Sequence, residues 1–341
     1  MPRKKIIKLN VLILVMALVL IGCGEDTSSN DDVSEGEFEF QIGHSTTTDN
    51  QQHVGAEKIA ELLEESSDGT ITADVFELEQ LGGEVAELQA LQDGSQDITI
   101  VAHASATNFV PEWSIFNLPY LFDSTEQANA VLDEIGDEFF EMLPEHGLKG
   151  LGWLSSIERN VFSTTPIESA EDLQDFDIRV IEAPGFVDAY SALGAQPVTM
   201  PGGEVYSGLQ QGVIDGAVNS PELFLNFGHH EVADYYNMTS MHYMPIAIVM
   251  SLDVWESLST EQQELVQEVT DEAVEIGREH YTHTYEEAIE ERMEEEEVTV
   301  VDTDISDMQE RTADIHNSMT SEIPNGEELL ELIENTKEEV E

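Results

Sequence analysis

Asp97-Ile98-Thr99-Ile100-Val101 is apolar or β-branched at every position after the first, and Asp93-Gly94 closes it off upstream. A short unbroken run of this kind between turn signals reads as a strand buried on both faces, which parallel sheets covered by helices require. Upstream, Gly82-Gly83 opens a helix carrying Val85, Leu88 and Leu91. Before it, Ile71 to Phe76 reads as a strand following the Asp68-Gly69 turn. Earlier still, Ala56, Ile59, Ala60 and Leu63 fall at i, i+3, i+4, i+7, and Phe38-Glu39-Phe40-Gln41-Ile42 alternates like a strand. Strand, helix, strand, helix, strand predicts a parallel sheet with right-handed crossovers.

The same grammar recurs downstream. Asp177-Ile178-Arg179-Val180-Ile181 is a strand, a helix follows from about Pro184 to Leu193, and Gly202-Gly203 opens another helix that Gly212 ends. Ile214 to Val218 is then a strand. A chain of 341 residues exceeds what one core usually organises. The expected class is therefore α/β in two lobes: residues 38–156 with 245–284, and 157–244 with 285–312. The chain is expected to cross between them near Ser155–Ile157 and Tyr243–Pro245. A third link is a long helix over about 259–297, started by a Ser259/Gln262 capping box and apolar at Leu265, Val266, Val269, Ala273 and Ile276. Residues 313–341 are expected as a C-terminal acidic helix, amphipathic from Gly326 onward.

Residues 1–22 have the form of a secretory leader, with Arg3, Lys4, Lys5 and Lys8 before an apolar run from Val11 to Ile21. Leu20-Ile21-Gly22-Cys23 has the lipobox pattern, so Cys23 is the expected lipidation site; the alternative is a stray thiol in an uncleaved anchor. As the only cysteine it excludes an intrachain disulfide. Residues 23–37 are polar and acidic, as a disordered tether would be. The expected location is extracytoplasmic, held to the cell membrane by lipid.

The chain has 12 Lys+Arg against 72 Asp+Glu, a formal charge of −60. Such a surface suits a saline or alkaline habitat, and with no basic stripe it argues against nucleic acid as a partner. Between Gly150 and Gly277 the only basic residues are Arg159 and Arg179. Where surface cations are nearly absent, a retained guanidinium has a specific job, either a structural ion pair or anion recognition. Glu182 is the nearby acid for Arg179; Glu158 and Glu168 are those for Arg159.

No G-x-S-x-G, H-E-x-x-H, P-loop or G-x-G-x-x-G occurs, so nothing points to catalysis, and no cofactor is expected. His229-His230-Glu231 and His280-x-x-His283 have metal-like spacing, but structural or solvated histidines are the preferred reading and no metal site is assigned.

Residues 158–221 contain Glu-Arg-Asn-Val-Phe-Ser, Asp-Ile-Arg-Val, Ala-Leu-Gly-Ala-Gln-Pro-Val-Thr-Met-Pro, Glu-Val-Tyr-Ser-Gly-Leu-Gln-Gln-Gly-Val-Ile-Asp-Gly and Asn-Ser-Pro. With Gln80-Leu81-Gly82-Gly83-Glu84 and Leu118-Pro119-Tyr120-Leu121-Phe122 upstream, this resembles the solute-binding subunits of tripartite ATP-independent periplasmic (TRAP) transporters, dicarboxylate-binding (DctP) type, over about residues 38–300. The resemblance implies a periplasmic-binding-protein-like fold and capture of a small organic acid for delivery to an ion-gradient-driven permease. It implies that Arg179 clamps the ligand carboxylate, with Arg159 and Asn219 beside it; the alternative for Asn219 is a turn residue before Pro221. His103 and Ser45 follow strand ends that face the expected cleft and are further candidates. Gly202 stands where many members carry an aromatic residue, which leaves the ligand class open beyond carboxylate. A ligand-presenting component of a sensory system is the alternative function on the same fold.

Overall fold

The computed structural model describes residues 36–340. The leader, the Cys23 lipidation site and all of the tether except Gly36 and Glu37 lie outside the described residues. Gly36 is tied down: its carbonyl accepts from Gln262 Nε2 at 3.2 Å.

Every alternating or periodic segment of the first half becomes the element its pattern demands. The order is β1 (Phe38–His44), α1 (Gln51–Ser66), β2 (Ile71–Phe76), α2 (Glu84–Gln92), β3 (Ile98–Ala102), α3 (His103–Ala106), α4 (Thr125–Phe140) and β4 (Leu148–Ser163). Then come β5 (Asp177–Val180), α5 (Pro184–Ala192), β6 (Gln196–Thr199), α6 (Val205–Gln210), β7 (Gly216–Asn219), α7 (Pro221–Asn226) and β8 (Tyr235–Ser251). The chain finishes with α8 (Leu252–Ser257), α9 (Thr260–Glu287), α10 (Met293–Glu295), β9 (Thr299–Val301), α11 (Ser306–Glu322) and α12 (Gly326–Val340).

The nine strands of the described residues share one sheet in the order β2-β1-β3-β8-β4-β7-β5-β6, with β9 added beside β8. The two ends are parallel βα windings, β2-β1-β3 and β7-β5-β6. The long antiparallel pair β4 and β8 joins them. Late β8, Ile246 to Met250, pairs with β3 at one end, while late β4, Asn160 to Ser163, pairs with β7 at the other. Both strands therefore run from one winding into the other. Their register slips between Leu154 and Ile157, opposite Ile246 and Met244, so the expected crossing segments lie inside continuous strands.

The long helix is present with its capping box formed: Ser259 Oγ accepts from Gln262 N, and Gln262 Oε1 accepts from Ser259 N. It lies along α1 and β4 and continues past Glu287 through a π-helical turn, Ala288–Arg292, that packs against α7. It thus begins on one winding and ends on the other. Where the helix passes over β4, a glycine leaves room for Leu154: a Cβ on Gly277 would lie 2.5 Å from a Leu154 methyl.

The segment 313–341 is not one helix. It comprises the end of α11 and all of α12, separated by Pro324 and by Asn325 at φ 54°. Pro324 removes a donor, and the left-handed Asn325 turns the chain so that α12 packs on α4.

Candidate binding site

A cavity of about 1240 Å³ opens between the two windings. Its walls come from the carboxyl ends of the parallel strands, as expected of open α/β sheets. Ser45 follows β1, Ser105 and Asn108 follow β3, Glu182 follows β5, Met200 to Gly203 follow β6, and Asn219 ends β7. Ile157 and Arg159 from β4 and Met244 and Ile246 from β8 also line it.

Arg159 and Arg179 both reach this cavity and are only 5% and 8% exposed. Each is held by a backbone carbonyl: Arg159 Nη2 donates to Val218 O at 2.5 Å, and Arg179 Nε to Met200 O at 3.0 Å. Among the described residues neither forms an ion pair. Glu158 is engaged elsewhere, accepting from Asn160 Nδ2, Ser240 Oγ and Tyr285 OH. Burial, and then the charge of Arg159, pull Arg179 down to about 10. Two desolvated guanidiniums without a direct ion-pair partner are costly, several kcal/mol each by order of magnitude, although Glu84 and Glu222 act on Arg159 from beyond ion-pair distance. A carboxylate placed between them removes that cost and matches their planar donors.

The remaining candidates divide. Asn219 lines the cavity, half-buried, and its Oδ1 accepts from Ser220 N at 3.1 Å, so the turn role is also filled. Ser45 lines the cavity too, and its Oγ donates to Glu84 Oε1 at 3.0 Å. His103 does not line it. It is fully buried, its Nε2 on Asn117 Oδ1 at 2.8 Å and its ring edge-on to Phe116, and burial lowers it to about 4. At the first position of α3 the side chain turns into the aromatic core instead of the cleft.

Glu84 is the polar group that residue-by-residue reading passed over. At the start of α2, half-buried in the cavity wall, it accepts from Ser45 Oγ, Ala102 N and Ser105 Oγ, and burial raises it. Its only sequence signal is the preceding Gly82-Gly83, which brings a helix start to the cleft. Val85, the first apolar residue of α2, is 40% exposed and lines the cavity as well.

The histidine pairs hold no metal-like arrangement. His229 is stacked on Phe162 at 5.0 Å, His230 Nε2 lies 3.4 Å from Glu296, and His280 Nε2 meets Asp49 O at 2.9 Å. Among the described residues no group of three or more His, Cys, Asp or Glu has a metal-binding arrangement. None of their helices is long and apolar enough to cross a membrane.

Known proteins share this fold. Residues 42–322 match the model of the DctP family, described as bacterial extracellular solute-binding protein, family 7. The ectoine-binding periplasmic protein TeaA of Halomonas elongata is 31% identical over 303 residues, 86% of this chain and 88% of TeaA. A TRAP periplasmic solute-binding protein of a Sulfitobacter species, solved with β-D-galacturonate bound, superposes with a TM-score of 0.84 at 26% identity, covering 87% of this chain and 99% of that one. One from Anaerococcus prevotii, solved with D-glucuronate, also gives 0.84, at 28% identity over 89% and 99% of the two chains. A two-lobed α/β fold, a cleft with buried cationic groups and a family match over most of the chain lead to one conclusion: the chain belongs to family 7 of the bacterial extracellular solute-binding proteins.

Proposed function

We propose that this protein captures a small hydroxylated carboxylic acid of the sugar-acid class in its cleft and delivers it to a TRAP-type permease. The observation that carries the reading is the pair of buried guanidiniums, Arg159 and Arg179, facing one cavity without an ion-pair partner. Arg179 clamps the ligand carboxylate, Arg159 shares it, and Asn219 adds an amide. Glu84, with Ser45 and Ser105 around it, takes hydroxyl donors at the ligand's other end; a second carboxylate there meets a negative wall, which disfavours simple dicarboxylates. The bound uronates of the two solved structures have the polarity this cleft asks for.

Closure of the cleft pivots on the register slip of β4 and β8, between lobes divided near 156/157 and 244/245, with the long helix as the third connection. A leader ending at Gly22 and acylation of Cys23 hold the protein to the outer face of the membrane by the tether.

The test is a thermal-shift panel of organic acids in molar salt, on the protein and its Arg179→Ala variant. A ligand that binds only the folded state raises the midpoint by mass action. A shift with uronates that is absent from succinate and lost in the variant supports the reading. A shift indifferent to Arg179 refutes the clamp.

A further inference from the structure

Phe227 stands out once the cavity has been assigned to its acid. Five large apolar side chains are exposed among the described residues: Leu78, Val85, Val213, Phe227 and Val300. Three of them, Leu78, Val85 and Phe227, line this one cavity, and Phe227 is the only aromatic of the five. A single exposed phenylalanine is ordinary. One lining a binding cleft is not.

Phe227 caps α7, its N–H donating to Leu223 O at 3.1 Å, and Gly228 turns the chain away in the left-handed region at φ 70°. Its ring lies 5.9 Å from that of His229. His229 is stacked on Phe162, which packs against Phe224 in the smaller hydrophobic core. An aromatic column therefore rises from the core to the cleft and ends in an uncovered phenyl ring.

The column also borders the clamp. His229 lies in the field of Arg179, whose charge adds to burial in lowering it. Arg179, His229 and Phe227 all line this cavity. An acid with its carboxylate on Arg179 therefore occupies the cavity that Phe227 lines. In the same cavity Gly202 and Gly203 contribute no side chain, and a Cβ on either would meet nothing within 4 Å.

We propose that Phe227 is the surface on which the ring of a cyclic sugar acid packs, making it the residue that favours ring acids over open-chain ones. This rests on the sugar-acid reading of the cleft. A pyranose presents a face of C–H groups, which packs on a flat aromatic without losing hydrogen bonds; its hydroxyl edge stays free for Glu84 and Ser105. An open-chain polyol has no such face. Leu78 and Val85, from the other winding, supply the apolar contact on the ring's far side when the cleft closes.

The experiment is calorimetric titration of the protein with D-glucuronate and with D-gluconate, the open-chain acid of equal carbon number. Wild type, Phe227→Ala and Phe227→Trp are compared. Phe227→Ala is expected to weaken glucuronate about tenfold and gluconate less than about threefold, with Phe227→Trp restoring glucuronate. The unliganded thermal midpoint should stay put, since the side chain is exposed. An equal loss for both acids, or no loss for either, overturns the assignment. A wild-type protein that binds neither acid overturns the sugar-acid reading itself, and this assignment with it.

Discussion

Arg179 illustrates a side chain kept at the expense of the unliganded state. It is buried, its Nε is bonded to a carbonyl, and the charge that shifts it is that of another arginine. Truncating one partner of a desolvated charge pair costs about 2–5 kcal/mol of binding, so Arg179→Ala should weaken the acid at least about thirtyfold. Arg179→Lys should recover little of this, because an ammonium cannot offer paired planar donors. Arg179→Met carries the opposite sign for folding. It removes an unpaired buried charge, so the ligand-free midpoint should rise by a few degrees while binding is lost; an unchanged or lower midpoint would show that the cleft solvates the guanidinium well.

His242 provides the pH counterpart. It is buried against Phe186 at 4.0 Å with both ring nitrogens unbonded, and burial, then the charge of Arg159, lower it to about 3. Between about pH 3 and 6.5 the unfolded chain therefore holds a proton here that the folded chain does not, and folding stability falls as pH is lowered through that window. Phe fits the same slot without titrating. From pH 8 to pH 5, His242→Phe should lose less stability than wild type, by up to about 1.4 kcal/mol per pH unit below 6.5. Parallel curves in urea titrations at the two pH values would exclude His242 as an acid-labile site.

The elements that decide how the halves meet are β4, β8 and α9. Tyr281 OH accepts from Glu158 N, and Tyr285 OH donates to the Glu158 carboxylate, so the helix is bonded to β4 just beyond the register slip. On the other side of the slip, Leu154 sits under Gly277 of α9. Gly277→Ala tests which of two effects wins there. Helix propensity favours alanine by about 1 kcal/mol, whereas overpacking a filled site costs about 1–3 kcal/mol. With a Leu154 methyl 2.5 Å from the new Cβ, the clash should prevail, and the urea midpoint should fall. A rise would mean that Leu154 can move aside freely.

At the scale of the whole molecule the dominant quantity is charge. A formal −60 repels itself at low salt, and raising salt from about 0.1 M to 1 M shrinks the Debye length from about 10 Å to about 3 Å. The thermal midpoint should therefore climb steeply over that range. Carboxylate affinity should change less, because the arginine pair is buried and screened little. A midpoint flat in salt, or an affinity that tracks salt as steeply as stability does, would contradict this separation of surface from site.

Local pattern was enough for the windings. Residues 38–101 declare their strands and helices because hydrophobic period and turn residues are short-range properties, and the Ser259 capping box likewise reports its own helix start. The arginine pair was legible because a scarce residue type is conspicuous in an acidic chain. β4 and β8 were not legible as strands. β4 carries Gly150, Gly152, Ser155, Ser156, Glu158, Arg159 and Asn160 with no period of two, and several of its buried polar groups are satisfied by partners distant in sequence, such as Gln51, Tyr285 and Ser240. His103 and Glu84 show the same limit for the site. Both begin helices beside the cleft, yet only the packed neighbours turn one into the core and the other into the cavity wall. Composition, periodicity and caps thus determined the class, the windings and the charged pair. Side-chain direction and the joining of the two halves were decided by tertiary contacts, because burial of a polar group depends on partners that no local stretch contains.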